Sequence, residues 1–253
     1  MIDLPNVSLV CADTTRSRAY LQNLSRAGFR PAKVLVLAKP QADLPGQSRT
    51  ILVERPLNAE NDPLWQTAHF DPNSSLLEDI TANGAPFNVL DLTDINHPDV
   101  VAGVAALPGD TVLYSGFGGQ ILRAAILATG KQFLHVHGGY LPDFRGSTTN
   151  YYSMIEEAAI GASAIFLTAE IDAGPVLMRR RFPVPPDRTQ IDHLHDSAAR
   201  ATVLCEVLQV YNRTGNWPDA EVATTETART FYVIHPVLKH IAVFREPAKR
   251  NRQ

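Results

Sequence analysis

Three side chains in this sequence have the types and positions that proton chemistry requires: His135, His137 and Asp172. Residues 132–137 read as a buried strand. Residues two apart on a strand point to the same side, so the two imidazoles share a face. An imidazole titrates near neutrality and can take a proton or pass it on. Asp172 stands at the tip of a later turn, Glu170-Ile-Asp-Ala-Gly174, where its carboxylate can orient an imidazole, favour its charged form and relay a proton. The competing reading of each histidine is a hydrogen-bonded group at a strand end. His-x-His on a strand is also a good chelating pair. No further ligand set of suitable spacing accompanies it, and His193 and His195, two apart on a helix, diverge by about 200°. The expectation is therefore that no zinc is tightly bound.

Those residues need a scaffold. Val7–Cys11 reads as a short buried strand, followed by a helix from Asp13 or Thr14 to Ala27 with Gly28 as its stop, then a second strand over 33–37. This βαβ opening argues for a parallel sheet. The turn after the first strand has no Gly-x-Gly-x-x-Gly, which argues against a nicotinamide dinucleotide. Residues 38–75 carry several prolines and suit loops with one short helix over 63–69. Further strands are expected over 87–90, 110–115, 132–137, 162–168 and 176–184. Helices are expected over 99–106, up to about 128, over 148–159 with Gly161 beyond the end, and over 191–211. The fold class is α/β, a Rossmann-like, mostly parallel twisted sheet with helices on both faces. Ligands of such sheets bind beyond the carboxyl ends of the strands. There Gly116, Gly118 and Gly119 allow close backbone approach to a flat ring.

The whole-chain numbers fit that architecture. The 253 residues suit one domain over 1–212, with a C-terminal extension over 213–253 that packs on it or forms a subunit contact. Apolar content of 45% and charged content of 19% are those of an ordinary globular protein. A net charge of −3 disfavours nucleic acid as the main ligand. Cys11 and Cys205 sit in apolar patterns and make no disulfide framework. No apolar run is long enough to span a membrane, and the N-terminus lacks a signal-peptide pattern, so a cytoplasmic location is expected. His235 and His240 lie in an apolar tail and read as structural or as part of a subunit contact, which leaves a homodimer open.

The stretch from Phe133 to Gly146, taken with Glu170–Leu177, resembles the active-site frame of the folate-dependent formyltransferases. That family carries Asn-x-His-x-Ser-Leu-Leu-Pro-x-Tyr/Phe-x-Gly, and later Asp-x-Gly-x-Ile/Val. His137 falls on the family histidine and Asp172 on its aspartate. His135 replaces the asparagine and Gly139 replaces the serine. The resemblance covers residues 87–210 well and the opening strands loosely.

The resemblance implies formyl transfer from 10-formyltetrahydrofolate to an amine. His137 and Asp172 are the implied catalytic pair. His135 takes the place of an asparagine whose amide donates to the developing oxyanion, a role that an imidazole N–H can also fill. Gly116, Phe117, Gly118, Gln120, Ile121, Leu122 and Leu141 are implied at the folate pocket. Tyr140, Arg145, Asn150, Tyr151 and Tyr152 are implied around the amine, although Tyr151 and Tyr152 can equally be packing aromatics. Nothing beyond residue 215 is similar to the C-terminal domain of methionyl-tRNA formyltransferases, so the expected acceptor is small: an amino sugar on a nucleotide, an amino acid or a similar amine. The alternatives are a 10-formyltetrahydrofolate hydrolase, a metal-dependent amidohydrolase and a non-catalytic folate- or nucleotide-binding relative.

Overall fold

The computed structural model describes residues 1–39, 52–221 and 228–245. Part of the expected 38–75 loop region and the basic residues 249–252 lie outside them. The chain opens with β1 (Ile2–Leu4), β2 (Val7–Ala12), α1 (Thr15–Ala27), β3 (Phe29–Pro31) and β4 (Val34–Leu37). α2 (Pro63–Ala68), α3 (Leu76–Asn83), β5 (Phe87–Leu90) and α4 (Pro98–Ala105) follow. Next come β6 (Thr111–Ser115), α5 (Ala124–Leu127), β7 (Gln132–His137), β8 (Arg145–Gly146) and α6 (Thr149–Glu157). The hairpin β9 (Ala159–Phe166) and β10 (Val176–Pro183) precedes a π-helical turn, Ile191–His195, that runs into α7 (Asp196–Thr214). β11 (Thr230–Phe231) and α8 (Pro236–Phe244) complete the described chain.

Seven strands form one sheet in the order β10-β9-β7-β6-β2-β4-β5. From β7 to β5 every pairing is parallel, whereas β9 runs antiparallel to both β7 and β10. Alternation along the strands gives the sheet two apolar faces. Leu113, Leu134 and Val136 pack with α1 and α7 on one side, while Val112, Tyr114 and Phe133 pack with α4 and α5 on the other.

Local chemistry sets the helix ends. Thr14 accepts from the Ser17 N–H to cap α1, and Gly28 closes it in the left-handed conformation that glycine adopts without a Cβ penalty. Asp62 caps α2, with Pro63 in its first turn. Three expectations change. α6 stops earlier, at Ala158 with φ 51°, and β9 starts at once, so Gly161 lies inside a strand paired with Arg181 instead of beyond a helix. A Cβ on Gly161 would stand 2.5 Å from the Tyr140 nitrogen, so glycine is required here by close backbone approach. Residues 116–123 form a loop, and only Ala124–Leu127 is helical. The C-terminal tail forms a helix, α8, with His235 as its cap and Pro236 in its first turn. Among the described residues no helix is long and apolar enough to cross a membrane.

Candidate active site

β7 delivers both histidines to the carboxyl edge of the parallel strands. His137 is 5% exposed; its Nε2–H donates to the Phe144 carbonyl at 2.8 Å. A carbonyl can only accept, so that contact fixes the proton on Nε2 and leaves Nδ1 for chemistry. Nδ1 stands 3.5 Å from Asp172 Oδ2. Asp172 is held by the Gly146 N–H at 2.9 Å and adopts φ 51°, a left-handed conformation that costs energy outside glycine and often marks a constrained site. The sequence spacing is thus realised as a buried imidazole beside a carboxylate.

The glycines after β7 are there because nothing larger fits. A Cβ on Gly138 would collide with Asp196 Oδ1 and Arg200 Nη2. A Cβ on Gly139 would stand 2.6 Å from the Phe144 carbonyl oxygen and 2.7 Å from His137 Nε2. The loss of the serine at 139 therefore accompanies a tightly drawn His137–Phe144 contact.

Two connected cavities meet at this edge. A narrow slot of about 150 Å3 is lined by Tyr114, Phe117, Leu122, Leu167 and Ile171. A wider cavity of about 620 Å3 holds His137, Arg145, Asn150, Tyr151, Asp192 and Arg200 on its walls. Arg16, His135 and Asp172 line both, as do Gly118, Gln120 and Ile121. The slot's walls are apolar and polar in similar measure, with Phe117, Leu122, Leu167 and Ile171 beside Arg16, Gln120, His135 and Asp172, and the Tyr114 hydroxyl is buried with no partner among the described residues.

Several expected residues stand elsewhere. Leu141 is fully buried with Ile165 and Val176, because the turn after β7 tucks its side chain under the hairpin, so it does not reach the slot. Gly116 packs against the Tyr114 ring and gives its carbonyl to Arg16, so it supports the slot from behind. Tyr140 lies under the Arg181 guanidinium at 3.5 Å, outside the cavities. Tyr152 turns about 100° from Tyr151 along the helix and packs tilted against Phe231, with its hydroxyl donating to the Tyr232 carbonyl. Tyr151 does reach the cavity and donates to Asp192 Oδ2 at 2.6 Å. Asn150 lines it with both amide atoms engaged, donating to Asp196 at 2.9 Å and accepting from the Gly161 N–H at 2.8 Å.

Sequence reasoning passed over Arg16, Asp192, Asp196 and Arg200. The last three recur at four-residue spacing along one face of the turn and α7, a signal that marks a shared face without naming what it faces. Arg16 lies in the first turn after β2, where the carboxyl-edge rule points. Residues 230–233 complete the wide cavity from the far end of the chain, because β11 pairs with β8.

His135 differs from the sequence expectation in one atom. Its Nδ1–H donates to the Tyr114 carbonyl at 3.1 Å. Burial, then the Arg16 and Arg200 charges, hold its pKa well below the ordinary histidine value. The ring is therefore neutral at physiological pH with its one N–H already engaged. A neutral His135 cannot also donate to an oxyanion, and here the expected role fails on hydrogen-bond grounds. Burial lowers the His137 pKa as well, while Asp172 opposes the shift.

These depressed values predict a pH-dependent stability. Below the unfolded-chain value of about 6.5 the unfolded state binds protons that the native state refuses, so stability falls as pH drops. The urea midpoint is expected to decrease from pH 7.5 to 5.5. His135→Asn is expected to flatten that decline; an unchanged slope would show that His135 does not contribute to it.

The fold and this edge define an α/β protein with a buried imidazole–carboxylate pair at the carboxyl ends of its parallel strands. The formyl transferase family model matches residues 18–209, and the chain belongs to the formyl transferase family. Methionyl-tRNA formyltransferase of Trichlorobacter lovleyi is 30% identical over 118 residues, covering 45% of this chain and 37% of that protein. The enzyme of the same name from Roseiflexus sp. is 32% identical over 128 residues, covering 49% and 39%. The match thus spans well under half the length of these curated relatives. Among solved structures, the Helicobacter canadensis N-formyltransferase, in complex with folinic acid and dTDP-3-aminofucose, gives a TM-score of 0.57 at 14% identity, covering 90% of this chain and 71% of that one. Glycinamide ribonucleotide transformylase 1 of Symbiobacterium toebii gives 0.56 at 17% identity, covering 88% and 95%. At these identities the structures establish a shared fold.

Proposed function

We propose that this chain transfers a formyl group from 10-formyltetrahydrofolate to the amine of a small molecule. The observation that carries this reading is the pair of His137 Nδ1 and Asp172 Oδ2, 3.5 Å apart where the slot opens into the wide cavity. Family membership supports it, as do the folinic acid and amino-sugar nucleotide bound to the Helicobacter relative of the same fold.

In this reading the slot takes the ring system of the folate, between Phe117, Leu122, Leu167 and Ile171. The wide cavity takes the acceptor, with Arg145, Tyr151 and Asp192 on its walls. Bound in the slot, the folate supplies an activated formyl carbon. His137 Nδ1 removes the proton that the attacking amine must lose. The resulting imidazolium is stabilised by the Asp172 carboxylate on one side and the Phe144 carbonyl on the other. The depressed His137 pKa keeps Nδ1 unprotonated at neutral pH, as a base needs. Activity should therefore persist to lower pH than a free imidazole would permit, falling only as pH drops through that lowered value.

The test is to incubate the full chain with 10-formyltetrahydrofolate and a panel of amines: amino-sugar nucleotides, amino acids, glycinamide ribonucleotide and methionyl-tRNA. The expected result is tetrahydrofolate release, with the mass of one formyl group appearing on a small acceptor. Formate release that no amine stimulates would replace this reading with hydrolysis. Transfer to methionyl-tRNA alone would overturn the small-acceptor part.

A further inference from the structure

The neutral, pre-engaged His135 leaves the position of the family's amide donor without a donor. Three ionisable side chains line both the slot and the wide cavity, where a transferring group must pass: Arg16, His135 and Asp172. Asp172 accepts. Gln120, which also lines both, is neutral and its amide is tied to the 93–95 loop: Nε2 donates one N–H to the Thr93 carbonyl at 2.6 Å and Oε1 accepts from the Ile95 N–H at 3.2 Å. His135 Nε2 has no hydrogen-bond partner among the described residues, yet it is not among the buried unpartnered atoms, so it opens to the cavity with a lone pair.

Arg16 is the remaining ionisable group. Its Nε donates to Ser115 Oγ at 3.1 Å and its Nη2 to the Gly116 carbonyl, both neutral acceptors on the segment that ends β6. Among the described residues no carboxylate lies within ion-pair distance of it, unlike Arg200, whose Nε meets Asp196 Oδ2 at 2.7 Å. Its Nη1 makes no hydrogen bond within the described protein and is likewise not a buried orphan. The side chain is thus fixed by two bonds, keeps its charge uncompensated and presents a further N–H group at the junction. A fixed cationic donor in a partly dry site is what a developing negative charge on oxygen requires.

We propose that Arg16 is the donor to the formyl oxygen in this chain, and that His135 accepts an N–H of the attacking amine through Nε2; the proposal rests on the formyl-transfer reading above. As the acceptor nitrogen bonds to the formyl carbon, the carbonyl electron pair moves onto the oxygen facing Arg16. The amine proton passes to His137 Nδ1. The bond from the formyl carbon to the folate nitrogen then breaks, and that nitrogen takes the proton. The groups facing His135 are Arg16 from α1, Tyr114 from β6, Arg200 from α7 and His137 on its own strand. Two of them are cations, Arg16 and Arg200, and with burial they disfavour a second proton on the His135 ring.

Two measurements on the protein decide the proposal. Nitrogen-15 NMR of labelled histidine, with no ligand present, reads the tautomer directly. His135 is expected to carry its proton on Nδ1 and a lone pair on Nε2 at pH 7.5, and its pKa is expected to rise in Arg16→Gln. An Nε2–H tautomer or an imidazolium at that pH overturns the His135 role. The second measurement follows transfer from 10-formyltetrahydrofolate to hydroxylamine, a nucleophile with little to recognise, and to the best amine of the panel. Arg16→Gln is expected to lower kcat about 10²- to 10³-fold with little change in the KM for the folate. Arg16→Lys is expected to recover part of that loss, since it restores the charge without the planar fork. Full activity in Arg16→Gln overturns the Arg16 assignment alone and moves the donor to the Gly118–Gly119 backbone. No transfer by the unaltered chain to any acceptor overturns formyl transfer itself, and the assignment with it.

Discussion

Replacing His137 with glutamine is expected to reduce formyl transfer by about 10²- to 10⁴-fold, the range for loss of a positioned general base. Glutamine can keep a donor toward the Phe144 carbonyl, so the fold should survive with nearly its original thermal midpoint. It offers no lone pair of imidazole basicity toward the amine. The loss should appear in kcat, with folate binding to the slot unchanged, because His137 lines the wide cavity and not the slot. Asp172→Asn should show a smaller kcat loss, since it removes the charge that stabilises the imidazolium but leaves the base. The measurement is steady-state kinetics on the variants beside equilibrium binding of folinic acid. A His137→Gln variant within about threefold of the original kcat, far short of the loss expected for a general base, would remove His137 from the chemistry.

The second large effect is expected from Gly139→Ser, which restores the residue that the family pattern carries at that position. The added Cβ would stand 2.6 Å from the Phe144 carbonyl oxygen, 2.7 Å from His137 Nε2 and 2.8 Å from Thr149 Oγ1. Two of those atoms belong to the bond that sets the His137 tautomer, so relief of the clash must lengthen or break it. Displacement of a catalytic group by about 1 Å can cost about 10²-fold in rate. Overpacking of this kind costs about 1–3 kcal/mol of stability. The expected outcome is a lowered thermal midpoint together with a kcat loss of about 10²-fold. A variant as active and as stable as the original would show that this turn relaxes freely and that glycine is not required. His135→Asn combined with Gly139→Ser is expected to be no better than Gly139→Ser alone, because an asparagine side chain in place of His135 does not widen the space around Gly139.

The sequence alone determined the sheet, its carboxyl-edge site and the two residues placed together there. Apolar runs at 7–11, 110–115 and 132–137 are short, rich in branched side chains and bounded by turn residues, as buried parallel strands are, and Gly28 falls where the helical pattern stops. The His137 and Asp172 turns were legible because they carry, as a pair, the two motifs that resemble the formyltransferase frame, and His137 also ends a strand marked by its apolar pattern. Tertiary structure decided everything that depends on a partner distant in the chain. Leu141 and Tyr140 left the site because the direction of a turn residue is set by what packs beneath it, here the β9–β10 hairpin. Arg16 entered because Ser115 and the Gly116 carbonyl, about a hundred residues away in sequence, hold its guanidinium at the junction. His135 kept its place but changed its capacity. Strand periodicity determines which face a ring occupies, whereas the tautomer is set by whichever atom meets it across the sheet, and that atom is the Tyr114 carbonyl.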